Sequence, residues 1–337
     1  MELETQYLPE NKQGEMDQSE EKTLDLTVIV PLLNEEESLP ELSSWIDRVM
    51  QKNNYSYEII FIDDGSKDDS WKVIQELSNA NTNIKGLKFQ RNYGKSAALN
   101  EGFKAALGSV VITMDADLQD SPDEIPGLFD MIKNQKFDLV SGWKKKRYDN
   151  AVTKNLPSKF FNAITRKMSG IHLHDFNCGL KAYSNRVVKS VEVYGEMHRY
   201  IPVLAKTAGF YKIGEKVVQH QARKYGVSKF GWNRFMNGFL DLLTVQFVGR
   251  FGKKPMHLFG LLGSFIFLIG FLVTGYMIFA RLYFEDYPLS NRPPFYIALT
   301  CMVMGTMFFL TGFVAEIVVR NAPERNHYFI EKKLKIK

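Results

Sequence analysis

The residues best suited to chemistry are Asp115 and Asp117, one alanine apart at the end of the run Val110-Val-Ile-Thr-Met114. An uninterrupted apolar and β-branched run of this kind reads as a strand buried on both faces, and ligands of such sheets collect beyond the strands' carboxyl ends. Two carboxylates spaced two residues apart on extended chain point the same way, and Ala116 leaves room for an approaching group. Hard oxygen donors in this pattern suit Mg²⁺ or Mn²⁺ held together with diphosphate oxygens, and Gln119 offers a third oxygen at the same alternate spacing. A lone Asp-x-Asp is equally a solvated turn, so the surrounding elements must decide.

Those elements alternate strand and helix. Leu26–Pro31, Tyr57–Ile62, Ile84–Gln90, Val110–Met114 and Phe137–Ser141 read as strands. The acids of Asn34-Glu-Glu-Glu37 suit the first turn of a helix continuing through Leu42, Trp45, Ile46 and Val49, and Ser96–Leu107 reads as another helix. Repeated βα units predict an α/β fold with a doubly wound, mostly parallel sheet, so the loops after its strands crowd one edge. Asn34-Glu35, Asp63-Asp64-Gly65-Ser66, Arg91-Asn-Tyr-Gly-Lys95 and Asp115-Ala-Asp117 all fall there, giving acids for ribose, base or metal and cations for phosphate. Gly94-Lys95-Ser96 is not a phosphate-binding P-loop, because Phe89 stands where that motif needs its first glycine.

In order and spacing, Val28-Ile-Val-Pro31-x-x-Asn34-Glu35, Asp63-Asp64-Gly65-Ser66, Arg91-Asn92-x-Gly94-Lys95 and Asp115-Ala-Asp117-Leu-Gln119 resemble family 2 glycosyltransferases of the GT-A fold, specifically the polyprenyl-phosphate branch. The resemblance runs over roughly residues 24 to 320 and rests on four ordered motifs rather than one. It implies that Pro31, Asn34, Glu35 and Asp63 line the base and ribose, that Lys95 approaches the nucleotide, and that Asp115, Asp117 and Gln119 hold metal and diphosphate. It places an acceptor-side acid at Asp175, either a general base or an orienting group. Cations at Lys144, Arg147, Lys159, Arg223 and Lys229, with Ser228, would cradle an acceptor phosphate; lysine at 144 and 159, where relatives often carry arginine, is a point charge instead of a bidentate fork. His172, His174 and Cys178 lack a zinc spacing and read as packing.

The last third decides where the acceptor resides. Leu258–Ala280 is 23 residues without a charge and Phe295–Ala315 is 21, each sufficient to span a bilayer. Arg250, Lys253 and Lys254 precede the first run, while Arg320, Arg325 and four lysines follow the second, so both termini and the catalytic domain are expected in the cytosol, at the inner membrane if the source is bacterial. Trp232, Phe235, Phe239, Leu240, Leu243 and Phe247 recur at helical spacing among polar residues, as in a helix lying in the membrane interface.

The expected organisation is therefore a disordered acidic tail over 1–23, a GT-A catalytic domain over 24–229, an interfacial helix over 230–254, a transmembrane hairpin over 255–320 and a basic cytosolic tail over 321–337. Seven acids and no apolar run in the first 22 residues support the tail, and two distant cysteines, Cys178 and Cys301, argue against a disulfide framework. The net charge of +5 among 337 residues does not call for a nucleic-acid partner. The function expected is inverting transfer of a hexose-type sugar from a UDP- or GDP-linked donor to a polyprenyl phosphate, with homo-oligomerisation left open. A processive polysaccharide synthase is the first alternative, although no Gln-x-x-Arg-Trp occurs. A non-catalytic nucleotide-sugar-binding membrane scaffold is the second.

Overall fold

The computed structural model describes residues 24–145, 162–163, 165–195, 197–221, 224, 244, 247, 254–283 and 292–321. Seven strands form one sheet: β1 Leu26–Leu32, β2 Tyr57–Asp63, β3 Ile84–Lys88, β4 Val110–Thr113, β5 Leu139–Trp143, β6 Lys181–Ser184 and β7 Ile213–Val217. Their order is β3-β2-β1-β4-β6-β5-β7. β1 to β4 run parallel, β6 runs against both β4 and β5, and β7 returns parallel to β5.

Alternation along the strands feeds two separate cores. Val28, Val30, Ile59 and Phe61 face one layer, which holds α1 Leu39–Lys52, α2 Ser70–Ala80 and α4 Ile125–Lys133. Ile29, Ile60, Ile62 and Val111 face the other, built from α3 Lys95–Ala105, α5 Asn185–Val188 and α6 Ile201–Thr207. Covering on both faces is why β1 and β2 tolerate nearly unbroken apolar sequence. At the end of the sheet away from Asp115, buried Glu58 accepts from Thr27 Oγ1 (2.6 Å), Lys85 Nζ (2.6 Å) and the Leu107 amide (2.8 Å), tying three segments together.

Residues 34–37 do not form the first turn of α1, which begins at Leu39. Side chains from the β2 loop capture their amides: Ser66 Oγ takes Asn34 N–H at 2.9 Å, Ser70 Oγ takes Glu35 N–H at 2.9 Å, and Asp68 takes Glu36 N–H at 3.3 Å. Side-chain acceptors of this kind compete directly with helix formation. Asn34 itself sits at φ 55°, a left-handed conformation that asparagine tolerates.

Helices α7 Pro255–Tyr283 and α8 Pro293–Asn321 are each 29 residues, long and apolar enough to cross a membrane. They pack antiparallel through small residues. A Cβ added at Gly263 would lie 2.6 Å from the Gly305 carbonyl oxygen, and one at Gly305 would lie 2.6 Å from that of Gly263, so backbone meets backbone without side chains between them. The expected acidic tail, the basic tail beyond Asn321 and most of the interfacial helix lie outside the described residues, although the Phe247 ring sits 5.8 Å from Phe259 of α7.

Candidate active site

The carboxyl ends of β1, β2, β3 and β4 bring the four polar loops to one edge. Asp115 stands two residues beyond the end of β4, and Lys95, the first residue of α3, forms an ion pair with its Oδ1. Burial alone would raise the Asp115 carboxyl, but Lys95 and then Lys144 outweigh it and hold the group at about 2, so it stays ionised at any working pH. Gly179 makes this geometry possible: a Cβ there would stand 2.5 Å from Asp115 Oδ2 and 2.6 Å from its Cγ. Asp117 is buried, and its Oδ1 accepts from the Gln119 amide at 3.2 Å across a turn in which Leu118 adopts φ 58°. A left-handed leucine is strained, and strain of this sort concentrates at ligand sites. The ionised Asp115 and the neighbouring Asp117 carboxylate, beside a glycine-lined wall, are oxygen donors of the kind that suit a hard divalent cation.

Asp64 has a structural role that spacing did not reveal. Its carboxylate accepts from Tyr93 N–H at 2.7 Å and Gly94 N–H at 2.9 Å, and so fixes the loop that delivers Lys95. Burial raises its pKa, against the lowering effect of those two amide bonds. Asp63 is fully buried beneath the edge, with Oδ1 accepting from Ser66 N–H at 2.7 Å and Oδ2 lying 3.7 Å from Lys88 Nζ. Asn34 Oδ1 accepts from Lys67 N–H at 2.8 Å; Pro31 and Glu35 are half-buried beside it. Asn34 and Asp63 therefore staple the β1 and β2 loops, a use not visible from the sequence.

The acceptor side differs more from expectation. Lys144 does not face outward: its amine lies 2.6 Å from Asp120 Oδ1, and its side chain is only 11% exposed. Burial lowers its pKa, but Asp120 outweighs that and holds the ammonium charged. In this arrangement Lys144 supports the loop after β4 through its pairing with Asp120. That loop is further fixed by a bridge between Asp120 and His220 and by Gln221 N–H donating to Gln119 O at 2.9 Å. Asp175 is buried; its Oδ1 accepts from Asn177 N–H at 3.0 Å and its carbonyl from Ser141 Oγ at 3.2 Å, the contacts of a residue that shapes a turn. Arg147, Lys159, Arg223, Ser228 and Lys229 lie outside the described residues. His174 stacks on Trp143 with ring centroids 4.0 Å apart and pairs with Glu215. Cys178 is buried, and burial followed by Asp120 pushes its thiol up to about 12, which makes it inert.

A sheet of this order, with paired carboxylates at the end of β4 and an antiparallel β6 beside it, defines the GT-A class of nucleotide-sugar transferases. Crystal structures of glucosyl-3-phosphoglycerate synthase from Mycobacterium tuberculosis share the fold at 19% identity, covering 67% of this chain and 80% of theirs. The TM-score is 0.51 for the complex with UDP and 0.50 for the complex with Mn²⁺, UDP and glucosyl-3-phosphoglycerate. The model of glycosyl transferase family 2 matches residues 27–191. Over 301 residues the chain is 33% identical to a dodecaprenyl-phosphate galacturonate synthase from Rhizobium johnstonii, covering 89% of each chain. Over 321 residues it is 34% identical to an undecaprenyl-phosphate 4-deoxy-4-formamido-L-arabinose transferase from Proteus mirabilis, covering 94% of this chain and 96% of that one. This chain belongs to glycosyl transferase family 2, in its polyprenyl-phosphate branch.

Proposed function

We propose that the enzyme transfers a hexose-type sugar, with inversion, from a UDP- or GDP-linked donor to a polyprenyl phosphate at the cytosolic face of a membrane. The observation that carries this reading is the ionised Asp115 paired with Lys95 at the diphosphate edge of a chain that also has two membrane-length helices. The names of its relatives support the acceptor class, since both are transferases acting on polyprenyl phosphate. In the proposed division of labour, residues 24–229 form the catalytic domain, 230–254 the interfacial helix and 255–320 the membrane hairpin.

Pro31, Asn34, Glu35 and Asp63 would border the base and ribose, with Asp63 and Asn34 acting through the loops they staple. Lys95 moves its charge between Asp115 and the donor diphosphate. Asp115, Asp117 and Gln119 would hold Mg²⁺ or Mn²⁺, which when bound neutralises the charge of the departing nucleoside diphosphate. A fold neighbour binds Mn²⁺ together with UDP. An acceptor phosphate oxygen bonds to the anomeric carbon while the bond from that carbon to the diphosphate breaks, and the electron pair leaves with the diphosphate. A phosphate is already anionic near neutral pH, so Asp175 serves by orienting the turn from 175 to 177 instead of taking a proton. Arg147, Lys159, Arg223, Ser228 and Lys229 would grip the acceptor phosphate, while Lys144 stays with Asp120.

The test is to incubate the full-length protein in membranes with a panel of labelled nucleotide sugars and polyprenyl phosphate, then extract lipid. One sugar should enter the lipid fraction in a metal-dependent manner. Growth of a polymer would favour the processive alternative, and donor binding without turnover would favour a scaffold.

A further inference from the structure

The chain after β7 crosses back over the sheet edge between Val218 and Lys224. Val218 N–H donates to the Trp143 carbonyl at the end of β5 (3.1 Å), and Gln219 N–H donates to Glu124 Oε1 beyond β4 (3.0 Å). His220 then bridges Asp120, and Gln221 N–H reaches the Gln119 carbonyl at 2.9 Å. The partners thus pass from β5 to the loop after β4, two strands nearer β1. The crossing ends on α1, where Lys224 Nζ stands 2.7 Å from Glu41 Oε2 and joins residues 183 positions apart in sequence.

This crossing touches the metal edge directly. Gln119 is held from two sides, its N–H donating to Asp117 Oδ1 at 3.2 Å and its carbonyl accepting from Gln221. Main-chain contacts fix the segment as far as Gln221, and at Lys224 the hold becomes a side-chain pair. In sequence Lys224 is flanked by Arg223 and by Ser228 and Lys229, the residues proposed above to grip the acceptor phosphate. Glu41 belongs to the first turn of α1 and is 43% exposed, with Lys224 at 56%. An exposed ion pair contributes little to stability, because water screens it and ordering two long side chains costs entropy. Its consequence is positional instead: whatever moves Lys224 moves the residues covalently joined to it.

We infer that Glu41 is a positioning residue for the acceptor, which by holding Lys224 sets where the segment carrying Arg223, Ser228 and Lys229 stands relative to Asp117 and Gln119. This rests on the transferase reading above and deepens its acceptor side. The base and ribose are bordered by residues 31 to 63 on other loops, so loss of the pair should disturb acceptor use and spare the nucleotide sugar.

The experiment uses the full-length enzyme in nanodiscs, with the nucleotide sugar that labels lipid in the panel assay and with polyprenyl phosphate varied. Glu41→Gln should raise the KM for polyprenyl phosphate about two- to fivefold, the range open to one exposed ion pair, and Glu41→Lys should raise it further. Donor affinity measured by calorimetry should stay at the wild-type value, and the melting temperature should hold within a few degrees. Combining Glu41→Lys with Lys224→Glu should recover acceptor use relative to either single change, which a role in stability alone would not produce. An unchanged acceptor KM in both Glu41 variants overturns the inference, as does an equal loss for donor and acceptor, or a swapped pair no better than the single variants. A fall in acceptor KM overturns it too, by showing that Glu41 competes with phosphate for Lys224. No labelled lipid from any donor with the wild-type enzyme rejects the transferase reading itself, whereas an active wild type with indifferent Glu41 variants rejects this inference alone.

Discussion

Replacing Gly179 by alanine examines the metal edge with little confounding from the fold. The added methyl would stand 2.5 Å from Asp115 Oδ2, 2.6 Å from Cγ and 2.8 Å from Oδ1, so the carboxylate must retreat by roughly 1 Å to reach ordinary van der Waals distance. The methyl cannot yield instead, because the Gly179 carbonyl is held by Thr113 Oγ1 at 2.9 Å. Asp115 is a short side chain, 34% exposed at the sheet edge, so stability should change little. Divalent cations such as Mg²⁺ demand near-ideal oxygen positions, and a displacement near 1 Å at a reacting centre costs on the order of 100-fold in rate. Gly179→Ala should therefore lower kcat/KM by about 10²-fold, equivalent to about 2.7 kcal/mol of lost transition-state stabilisation, and weaken Mn²⁺ binding measured by electron paramagnetic resonance. Its melting temperature should stay within a few degrees of wild type. Wild-type activity together with unchanged Mn²⁺ affinity would refute the assignment of Asp115 to the cation.

Further outcomes follow from the same geometry. Asp64→Ala leaves the Tyr93 and Gly94 amides without their acceptor, a loss of about 1.5 to 3 kcal/mol in the loop, and should raise donor KM about tenfold or more with faster amide exchange over residues 91–95. Asp115 titrates at about 2 against an ordinary 3.8, so it stabilises the folded protein above that ordinary value and loses this contribution as pH falls toward 2. Melts between pH 6 and 2 should show a shallower acid slope in Asp115→Asn, and an unchanged slope would remove the ion pair from the account. In a Cys301→Ser background, a cysteine introduced near Leu289 should react with an impermeant reagent from outside the cell while one near Lys335 is protected; the reverse pattern would move the catalytic domain away from cytosolic donors.

How much of this was legible in the sequence depends on how local each cause is. β1, β2 and β4 announce themselves because strands covered on both faces need unbroken apolar sequence, and the Asp115-Ala-Asp117 pair is visible because its chemistry lies within three residues. β6 is four residues containing Lys181, and β7 reads Ile-Gly-Glu-Lys-Val at the sheet edge, so neither carries a periodic signal and both exist through pairing. The late start of α1 follows from Ser66, Asp68 and Ser70, more than 30 residues away in sequence. Lys144 shows the same limit: a cation in a basic run reads as a surface charge, and only the fold reveals buried Asp120 beside it. The anchoring of the 91–95 loop by Asp64 and the close approach of Gly179 to Asp115 were not visible, because their partners are set by tertiary contact and not by spacing.

The decisive measurement concerns which bond breaks. A donor carrying one label in the sugar and another in the β-phosphate, presented with polyprenyl phosphate and Mg²⁺ or Mn²⁺, distinguishes sugar transfer from phosphosugar transfer. Attack at the anomeric carbon requires the sugar label alone in the extracted lipid, with the phosphate label recovered in nucleoside diphosphate, and no lipid label in Asp117→Asn. Both labels arriving together in the lipid would mean attack at phosphorus, and the roles assigned to Asp115, Asp117 and Lys95 would have to be abandoned.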